Sequence, residues 1–303
     1  MFIIEIIGGL GNQMFGYAFT LAMKHHYGAE NVCIYTGRFN EVQDNQGYEL
    51  KRVFGIEEVE IVEKRVVANL IDNSRSYVAR LRRRLFGQKT SYFREHCPKF
   101  DPLVYSLNGK KKMYVEGLWQ DEDFFKDIRN TVLDKFRFET ENISPENAKV
   151  LKEINSANAV SLHVRRGDYV SNPNYMGFLG GVCNMLYYQK ALAQLELTED
   201  GLSIFVFSDD IEWVQSNFSF LRDKNVKYIN HNKGVDSYMD MYLMSQCKHN
   251  IIANSTFSWW GAWLNRNPAK KIFAPKIWFL NSPGYDGNHI VPDQWIKIDN
   301  TTE

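Results

Sequence analysis

Apolar and polar positions alternate in blocks through the second half of the chain. Five short runs rich in β-branched or other apolar residues are predicted strands: residues 159–164, 202–207, 226–229, 250–253 and 271–274. Four intervening segments with helical apolar spacing are predicted helices: residues 184–197, 210–218, 236–247 and 256–266. Strands that alternate with helices favour a parallel, doubly wound sheet, which binds ligands beyond the carboxyl ends of its strands.

The first half repeats this pattern less clearly. A predicted strand over residues 2–7 leads through the glycine-rich stretch GGLGNQMF into a predicted helix over 13–26, followed by a strand over 32–36. Further along, MYVEGLW is a predicted strand, and residues 121–136 form a predicted helix with one apolar stripe. The first half is therefore also predicted to be α/β.

Ser144 and Pro145 are placed to begin a helix between the two halves. We expect two domains, 1–155 and 156–303, because 303 residues of which 44% are hydrophobic can bury two ordinary cores. Lys plus Arg and Asp plus Glu both number 36, so no net charge attracts nucleic acid or an anionic membrane. Any anion-binding site must therefore be local.

The cysteines and the amino terminus bear on the cellular compartment. Four scattered cysteines without metal-ligand spacing fit reduced thiols in the cytoplasm: Cys33, Cys97, Cys183 and Cys247. The first apolar run has no basic region before it and is interrupted by Glu5, so neither a signal peptide nor a transmembrane helix is predicted.

The opening glycines, Gly8, Gly9 and Gly11, suggest an anion site at the start of the following helix. A dinucleotide fingerprint would need a third glycine where Met14 stands, and no acidic residue ends the second strand. A P-loop would need a lysine and a hydroxyl residue that do not follow these glycines. Both NAD binding and ATP hydrolysis are therefore disfavoured.

The stretch HVRRGDY, residues 163–169, lies at the carboxyl end of a predicted parallel strand. Alternation along the strand places His163 and Arg165 on one face and Arg166 on the other. One planar guanidinium suits a phosphate, and the second arginine is expected to pair with Asp168 and brace the loop. The alternative is a surface turn with an ordinary ion pair.

Asn254, Ser255 and Thr256 follow another predicted strand and precede a helix. Helix capping is the simplest interpretation, but free amides and hydroxyls at a helix start also bind anions. The tryptophans of that helix are expected in the core: Trp259, Trp260 and Trp263.

Acidic residues occur at three other places. Ser208 or Asp209 is expected to cap the helix after its strand, and direct contact with a ligand is the alternative. The run of acids at 121–123 fits a helix start better than a divalent-metal site, because no histidine or second acidic cluster adjoins it. An acid such as Asp240 on a helix is usually solvated, although its helix is predicted to point into the ligand crevice.

Four motifs, GGLGNQMF, HVRRGDY, FSDD and NSTFSWWGAWL, occur in this order over nearly the whole chain. The sequence resembles the bacterial α-1,2-fucosyltransferases of glycosyltransferase family 11. The resemblance implies an α/β, GT-B-like fold of two Rossmann-like domains facing a donor cleft, with acceptor binding in the first domain and GDP-fucose binding in the second. It also implies inverting transfer without a metal or other cofactor.

The resemblance assigns roles to residues that match the motifs. Arg165 would contact the β-phosphate of the donor, and His163 and Asp240 would lie near the guanosine. The remaining donor contacts it implies are those of Ser255, Thr256, Phe257 and, from the first domain, Asn12. Arg165 and Asp168 are the expected catalytic residues, and the base that deprotonates the acceptor stays open among Asp168, Glu116 and Asp44.

The implied function is transfer of L-fucose from GDP-β-L-fucose to the 2-hydroxyl of a terminal galactose of a glycan. Three alternatives remain. The first is a fucosyltransferase of different linkage or acceptor, and the second is an NAD(P)-dependent sugar-nucleotide enzyme on a similar sheet. The third is a non-catalytic sugar-binding protein that uses aromatic platforms such as Trp119, Trp259 or Trp278. A binding module would not need paired arginines near a helix start. The basic segment from Arg75 to Lys89 is either a solvated helix face or a peripheral contact to the inner face of the membrane.

Overall fold

The chain folds into two compact units, Met1–Arg137 and Phe138–Glu303. The computed structural model describes residues 1–40, 46–57, 64–97, 99–141, 143–281 and 287–300. The division falls before the sequence-based boundary at 155 because the helix Pro145–Ser156 packs within the second unit, where Asn147 donates a hydrogen bond to Asn232. No helix of the described residues is long and apolar enough to cross a membrane.

The first unit contains one four-stranded parallel sheet with flanking helices. Its strands are β1 (Phe2–Glu5), β2 (Val32–Tyr35), β3 (Tyr92–Arg94) and β4 (Met113–Glu116), in the order β2-β1-β4-β3. Its α-helices are α1 (Leu10–Tyr27), α2 (Leu50–Phe54), α3 (Lys64–Leu70), α4 (Tyr77–Phe86) and α5 (Arg129–Lys135).

Helix α1 begins earlier than the sequence pattern indicates. Gly8 has φ +77, and Gly9 is an extended N-cap, so the chain turns sharply out of β1 and the helix starts at Leu10 instead of residue 13. Asn12 therefore lies in the first turn of the helix and not in the loop. Most of α1 is buried, which gives the unit its central helix.

The predicted strand at MYVEGLW and the helix at 121–136 are both shorter than expected. Strand β4 stops at Glu116, and Trp119 then adopts φ 56, which is incompatible with extended backbone. The Asp121 carboxylate accepts backbone hydrogen bonds from Phe100 and Asp123 and caps a turn of 3₁₀ helix. A regular α-helix follows only at α5, so the helix-start interpretation of these acids is confirmed for a shorter element.

The second unit contains a six-stranded parallel sheet. Its strands are β5 (Asn158–Val164), β6 (Leu202–Ser208), β7 (Val226–Ile229), β8 (His249–Ile251), β9 (Ile272–Pro275) and β10 (Ile296–Ile298). Its helices are α6 (Pro145–Ser156), α7 (Gly167–Ser171), α8 (Pro173–Met176), α9 (Met185–Glu196), α10 (Ile211–Asn217), α11 (Tyr238–Gln246) and α12 (Thr256–Trp263).

The strand order of this sheet, β10-β9-β8-β5-β6-β7, changes direction between β5 and β8. From β5 the chain winds outward through β6 and β7, and from β8 it winds the opposite way through β9 and β10. Such a reversal opens a crevice at the carboxyl edge of a parallel sheet, where ligands bind. Two parallel α/β units confirm the predicted fold class.

Candidate functional site

Three strands of the second unit end side by side at the point where the strand order reverses. Register pairs Leu162 of β5 with Ile251 of β8, and Val164 of β5 with Ser208 of β6. The segments that leave these strands are HVRRGDY, FSDD and NST. The topology therefore gathers three of the sequence motifs at one edge of one sheet.

Arg165 lies between two carboxylates at this edge. Its Nη2 is 2.7 Å from Asp168 Oδ1, and its Nη1 is 3.0 Å from Asp209 Oδ2. Burial lowers the pKa of Arg165, but Asp209 and Asp168 outweigh it and leave the pKa above its usual value. Because a guanidinium has five N–H donors, Arg165 keeps donors for a further anion, and about a third of its side chain is exposed.

Arg166 occupies a different place from the one expected. Asp168 pairs with Arg165, so the expected pairing of Asp168 with the second arginine is wrong. Arg166 instead donates from Nε to Asp210 at 3.1 Å, and its guanidinium lies 3.5 Å from the centre of the Trp213 ring. Strand alternation separates the two arginines, and the helical turn α7 then returns Asp168 to the Arg165 side.

Asp209 holds a position in the candidate site that the sequence does not predict. It was expected to cap α10, as was Ser208, but Asp210 is the cap and accepts from the Trp213 backbone N–H at 3.2 Å. Asp209 uses both oxygens instead, one for Arg165 and the other to accept from the Arg166 backbone N–H at 2.9 Å. The sequence FSDD offered two adjacent aspartates with no signal to separate their roles.

His163 is buried at the end of β5, and its Nδ1 has no hydrogen-bond partner among the described residues. Burial first, and the neighbouring positive charge of Arg165 second, lower the pKa of His163 to about 3. The imidazole is therefore neutral near pH 7. A buried, unpaired ring nitrogen costs free energy unless a ligand supplies its partner, so this atom is a candidate contact. The Phe257 ring is 5.9 Å away between centroids.

The segment after β8 supplies a helix amino terminus. Ser255 caps α12 by accepting from the Phe257 backbone N–H at 3.3 Å, which confirms the capping interpretation without excluding a ligand. Tyr169 donates from its hydroxyl to the Asn254 carbonyl at 3.0 Å and so joins this segment to HVRRGDY. Thr256 begins the helix and is half-buried, whereas the three tryptophans of α12 are buried in the core, as predicted.

Asp240 is not a solvated surface acid. It lies in the first turn of α11, where burial raises its pKa to about 7 although a hydrogen bond from Asn232 opposes the shift. Asn232 donates to Asp240 Oδ1 at 2.8 Å, and Asn147 of α6 exchanges hydrogen bonds with Asn232. His231 also contacts the Asn147 side chain, at 2.8 Å. A half-buried acid within an ordered amide network can accept from a ligand without having to reorganise.

The first unit has its own cluster of polar groups where its strand order reverses, between β1 and β4. Gln120, which follows β4, donates to Asn12 Oδ1 at 2.8 Å and fixes that amide in the first turn of α1. Glu95, directly after β3, accepts backbone hydrogen bonds from Leu118 and Trp119. Burial raises the pKa of Glu95 to about 7 despite these hydrogen bonds.

Sequence reasoning missed Glu95 and Gln120, and the three-residue strand β3 that would have marked Glu95 was not predicted. Of the acids considered as a base, Glu116 accepts from the Tyr92 hydroxyl at 2.5 Å and lies 3.5 Å from the Arg94 side chain. Asp44 lies outside the described residues. Asp168 pairs with Arg165, so Glu116 and Asp168 each have a partner already.

Comparison with solved structures identifies the fold. The fucosyltransferase NodZ from Bradyrhizobium superposes with a TM-score of 0.50 at 16% identity, covering 86% of this chain and 90% of that chain. At this identity the likeness shows the fold alone. Together with the two parallel sheets, it establishes the GT-B type of glycosyltransferase architecture, as the sequence predicts.

Sequence comparison identifies the family of glycosyltransferases. The profile of glycosyl transferase family 11 matches residues 87–298, and the chain belongs to that family. Among its relatives, the O-antigen biosynthesis glycosyltransferase WbnK of Escherichia coli is 31% identical over 96% of this chain and 98% of its own. An α-1,2-colitosyltransferase of Escherichia coli is 34% identical over 98% of both chains. Galactoside α-(1,2)-fucosyltransferase 1 of Leontopithecus chrysomelas is 26% identical over 53% of this chain and 45% of its own.

Proposed function

We propose that this glycosyltransferase transfers L-fucose from GDP-β-L-fucose to the 2-hydroxyl of a terminal galactose, with inversion at the sugar. The observation that carries the proposal is Arg165, held between Asp168 and Asp209 beside the neutral, unpartnered His163. Relatives that form α-1,2 linkages support the linkage, and the family motifs support the nucleotide.

The chemistry explains why a fixed arginine suits this reaction. Breaking the bond from fucose C1 to the β-phosphate oxygen leaves positive charge on the sugar and moves the electron pair onto GDP. A preorganised cation at that oxygen lowers the barrier, and losing such a group typically costs about 10² to 10³ in rate. Asp168 and Asp209 hold Arg165 in place before the donor arrives, so little reorganisation is needed. In this proposal Arg165 and the α12 amino terminus supply the positive charge that a metal ion supplies in other enzymes.

Nucleotide recognition follows from the neighbouring groups. The His163 ring stays neutral and offers one unpaired nitrogen, so it can serve as a hydrogen-bonding contact without adding charge. Asp240, when ionised, can accept the N–H groups of guanine, and Asn232 favours that ionised form. Ser255, Thr256 and Phe257 at the start of α12 face the same edge of the sheet and are assigned to the pyrophosphate and base.

One comparison supports GDP-colitose as an alternative donor. The Escherichia coli relative named as an α-1,2-colitosyltransferase matches the chain over nearly its whole length. Colitose is L-fucose without its 3-hydroxyl group. A site built to hydrogen-bond that hydroxyl rejects the deoxy sugar strongly, whereas an apolar site discriminates only weakly. Donor competition therefore separates the two candidates.

The test is transfer of labelled fucose to lactose in the presence of EDTA, with GDP-colitose as a parallel donor. We expect transfer by the wild type, an α-1,2 linkage by NMR, and loss of activity in Arg165→Ala. Arg222→Ala removes an exposed arginine of the same unit and should leave the rate unchanged. If the enzyme used only GDP-colitose, colitose and not fucose would be the transferred sugar. Failure to bind either GDP-sugar, or binding of NAD(P) instead, would refute the proposal.

A further inference from the structure

Helix α4 exposes a concentration of large apolar side chains. Tyr77, Val78, Leu81 and Leu85 are between 45% and 80% exposed, and Phe86 at the end of the helix is 78% exposed. At 100° per residue, the first four lie within one arc of roughly 100°. A contiguous apolar stripe of this kind on an otherwise polar helix commonly marks an interaction surface.

The flanks of this stripe are cationic. The segment from Arg75 to Lys89 contains six basic residues and no acidic one. Arg80 and Arg84 are exposed and lie beside the stripe on one side of the helix. The segment therefore combines an exposed apolar arc with a local excess of positive charge, although the chain as a whole carries no net charge.

The opposite side of α4 is tied to its own unit. Asp72 is buried and forms ion pairs with Arg82 and Arg83, and it also accepts from the backbone N–H of Lys89. These two arginines lie on either side of the direction opposite Tyr77 on the helical wheel. The buried carboxylate thus fixes the rotation of α4, so the apolar stripe points away from the body of the unit.

We propose that this face of α4 binds the surface of an anionic phospholipid bilayer. The apolar side chains insert at the boundary between head groups and acyl chains, and the arginines contact the lipid phosphates. Charge complementarity selects this occupant, because the segment without acids matches an anionic surface and offers no pairing to a second copy of itself. The proposal does not depend on the sugar donor or on the linkage formed.

Vesicle co-sedimentation of the full chain tests the charge requirement. Binding is expected to vesicles containing phosphatidylglycerol, with much weaker binding to vesicles of phosphatidylcholine alone and to anionic vesicles at high salt. Each arginine near such a surface contributes about fivefold to partitioning, so Arg80→Gln with Arg84→Gln should weaken binding about 25-fold. The matched control, Lys111→Gln with Lys112→Gln, removes the same charge from exposed positions of the same unit.

A second pair of variants tests the apolar stripe. Leu81→Gln with Leu85→Gln should weaken vesicle binding by at least about tenfold, because the inserted apolar area is lost. Leu103→Gln with Leu197→Gln makes the same change at two exposed leucines elsewhere and should have no effect. Thermal unfolding checks that all variants stay folded.

Three results would overturn the proposal. One is absence of binding to both kinds of vesicle, and another is equal loss of binding in the α4 variants and their controls. The third is a wild-type dimer in sedimentation that becomes monomeric in the α4 variants while vesicle binding is unchanged. That last result would identify the stripe as a self-association surface.

Discussion

Replacing Arg165 by alanine should do more than delete the donor contact proposed for this side chain. Its guanidinium lies 2.7 Å from Asp168 and 3.0 Å from Asp209, so both carboxylates lose their cation in the variant. The variant site would then present two unpaired negative charges to an anionic leaving group. Repulsion is therefore expected on top of the lost stabilisation.

The two contributions can be estimated separately. Loss of a preorganised donor to the leaving group costs about 2.7–4 kcal/mol, or about 10² to 10³ in rate. Each unpaired carboxylate about 6 Å from the phosphates adds about 0.7 kcal/mol at the dielectric of water, which is roughly threefold. Asp168 is 42% exposed, so water screens its charge. The two carboxylates together cost about tenfold, so the combined loss is about 10³ to 10⁴ in rate.

A double-mutant cycle with Asp209→Asn separates these contributions. In the wild type this substitution should lower the rate, because Asp209 holds both Arg165 and the backbone N–H of Arg166. In the Arg165→Ala background it should raise the rate about threefold, because it removes one repelling charge.

The assay is initial-rate fucosyl transfer, with GDP-fucose affinity measured by calorimetry in the absence of acceptor. On the proposed mechanism, the rate constant should fall more than the affinity for GDP-fucose, because the charge on the leaving group develops only after the donor has bound. If Asp209→Asn lowers the rate by the same factor in both backgrounds, Asp209 does not act through Arg165 and the reasoning is refuted.

Three other predictions follow from buried polar groups. Burial raises the pKa of Glu95 from 4.5 to about 7, so its contribution to stability is lost as pH rises through that range. The free energy of unfolding, measured in urea, should increase for Glu95→Gln relative to wild type by about 3 kcal/mol as the pH is raised from about 4 to about 9. A difference that stays constant with pH would contradict this. Asn232→Ala should raise the pKa of Asp240 further, because the hydrogen bond that favours the ionised carboxylate is lost. As the pH is lowered, GDP affinity measured by calorimetry should therefore begin to fall at a higher pH than in the wild type. An unshifted profile would exclude Asp240 as a contact to GDP. Gln120→Ala frees the Asn12 amide and should lower the transfer rate about fivefold, while the unfolding temperature falls by a few degrees because a buried hydrogen bond is lost.

The parts of the fold that the sequence predicts well are the long buried strands. β5 and β6 lie centrally in their sheet and appear in the sequence as continuous apolar runs. The three-residue strands β3 and β10 lie at sheet edges, and neither has a run long enough to recognise. Glu95 was missed for the same reason, since its place is defined only by the strand before it.

The candidate site shows a similar division. Strand ends and motif order indicated that HVRRGDY and NST would meet, because parallel strands share one carboxyl edge. The ion pairs were not predictable in the same way. Which aspartate meets Arg165 depends on the rotation of the chain after β6, and adjacent residues of one type carry no signal of that rotation. The surroundings of Asp240 likewise depend on residues outside its helix, since Asn232 precedes α11 and is itself held by Asn147 of α6.

The close approach of Gly167 to Asp209 has a consequence for attempts to evolve this enzyme toward other donors. A β-carbon at position 167 would lie 2.5 Å from Asp209 Oδ2. Asp209 cannot retreat without releasing Arg165 and the backbone of Arg166 together. Random libraries that include position 167 should therefore yield mostly inactive clones, although the residue has no functional group of its own. Libraries that vary Thr256 and Phe257 instead change the same edge of the sheet and keep the ion pairs of Arg165 with Asp168 and Asp209 intact.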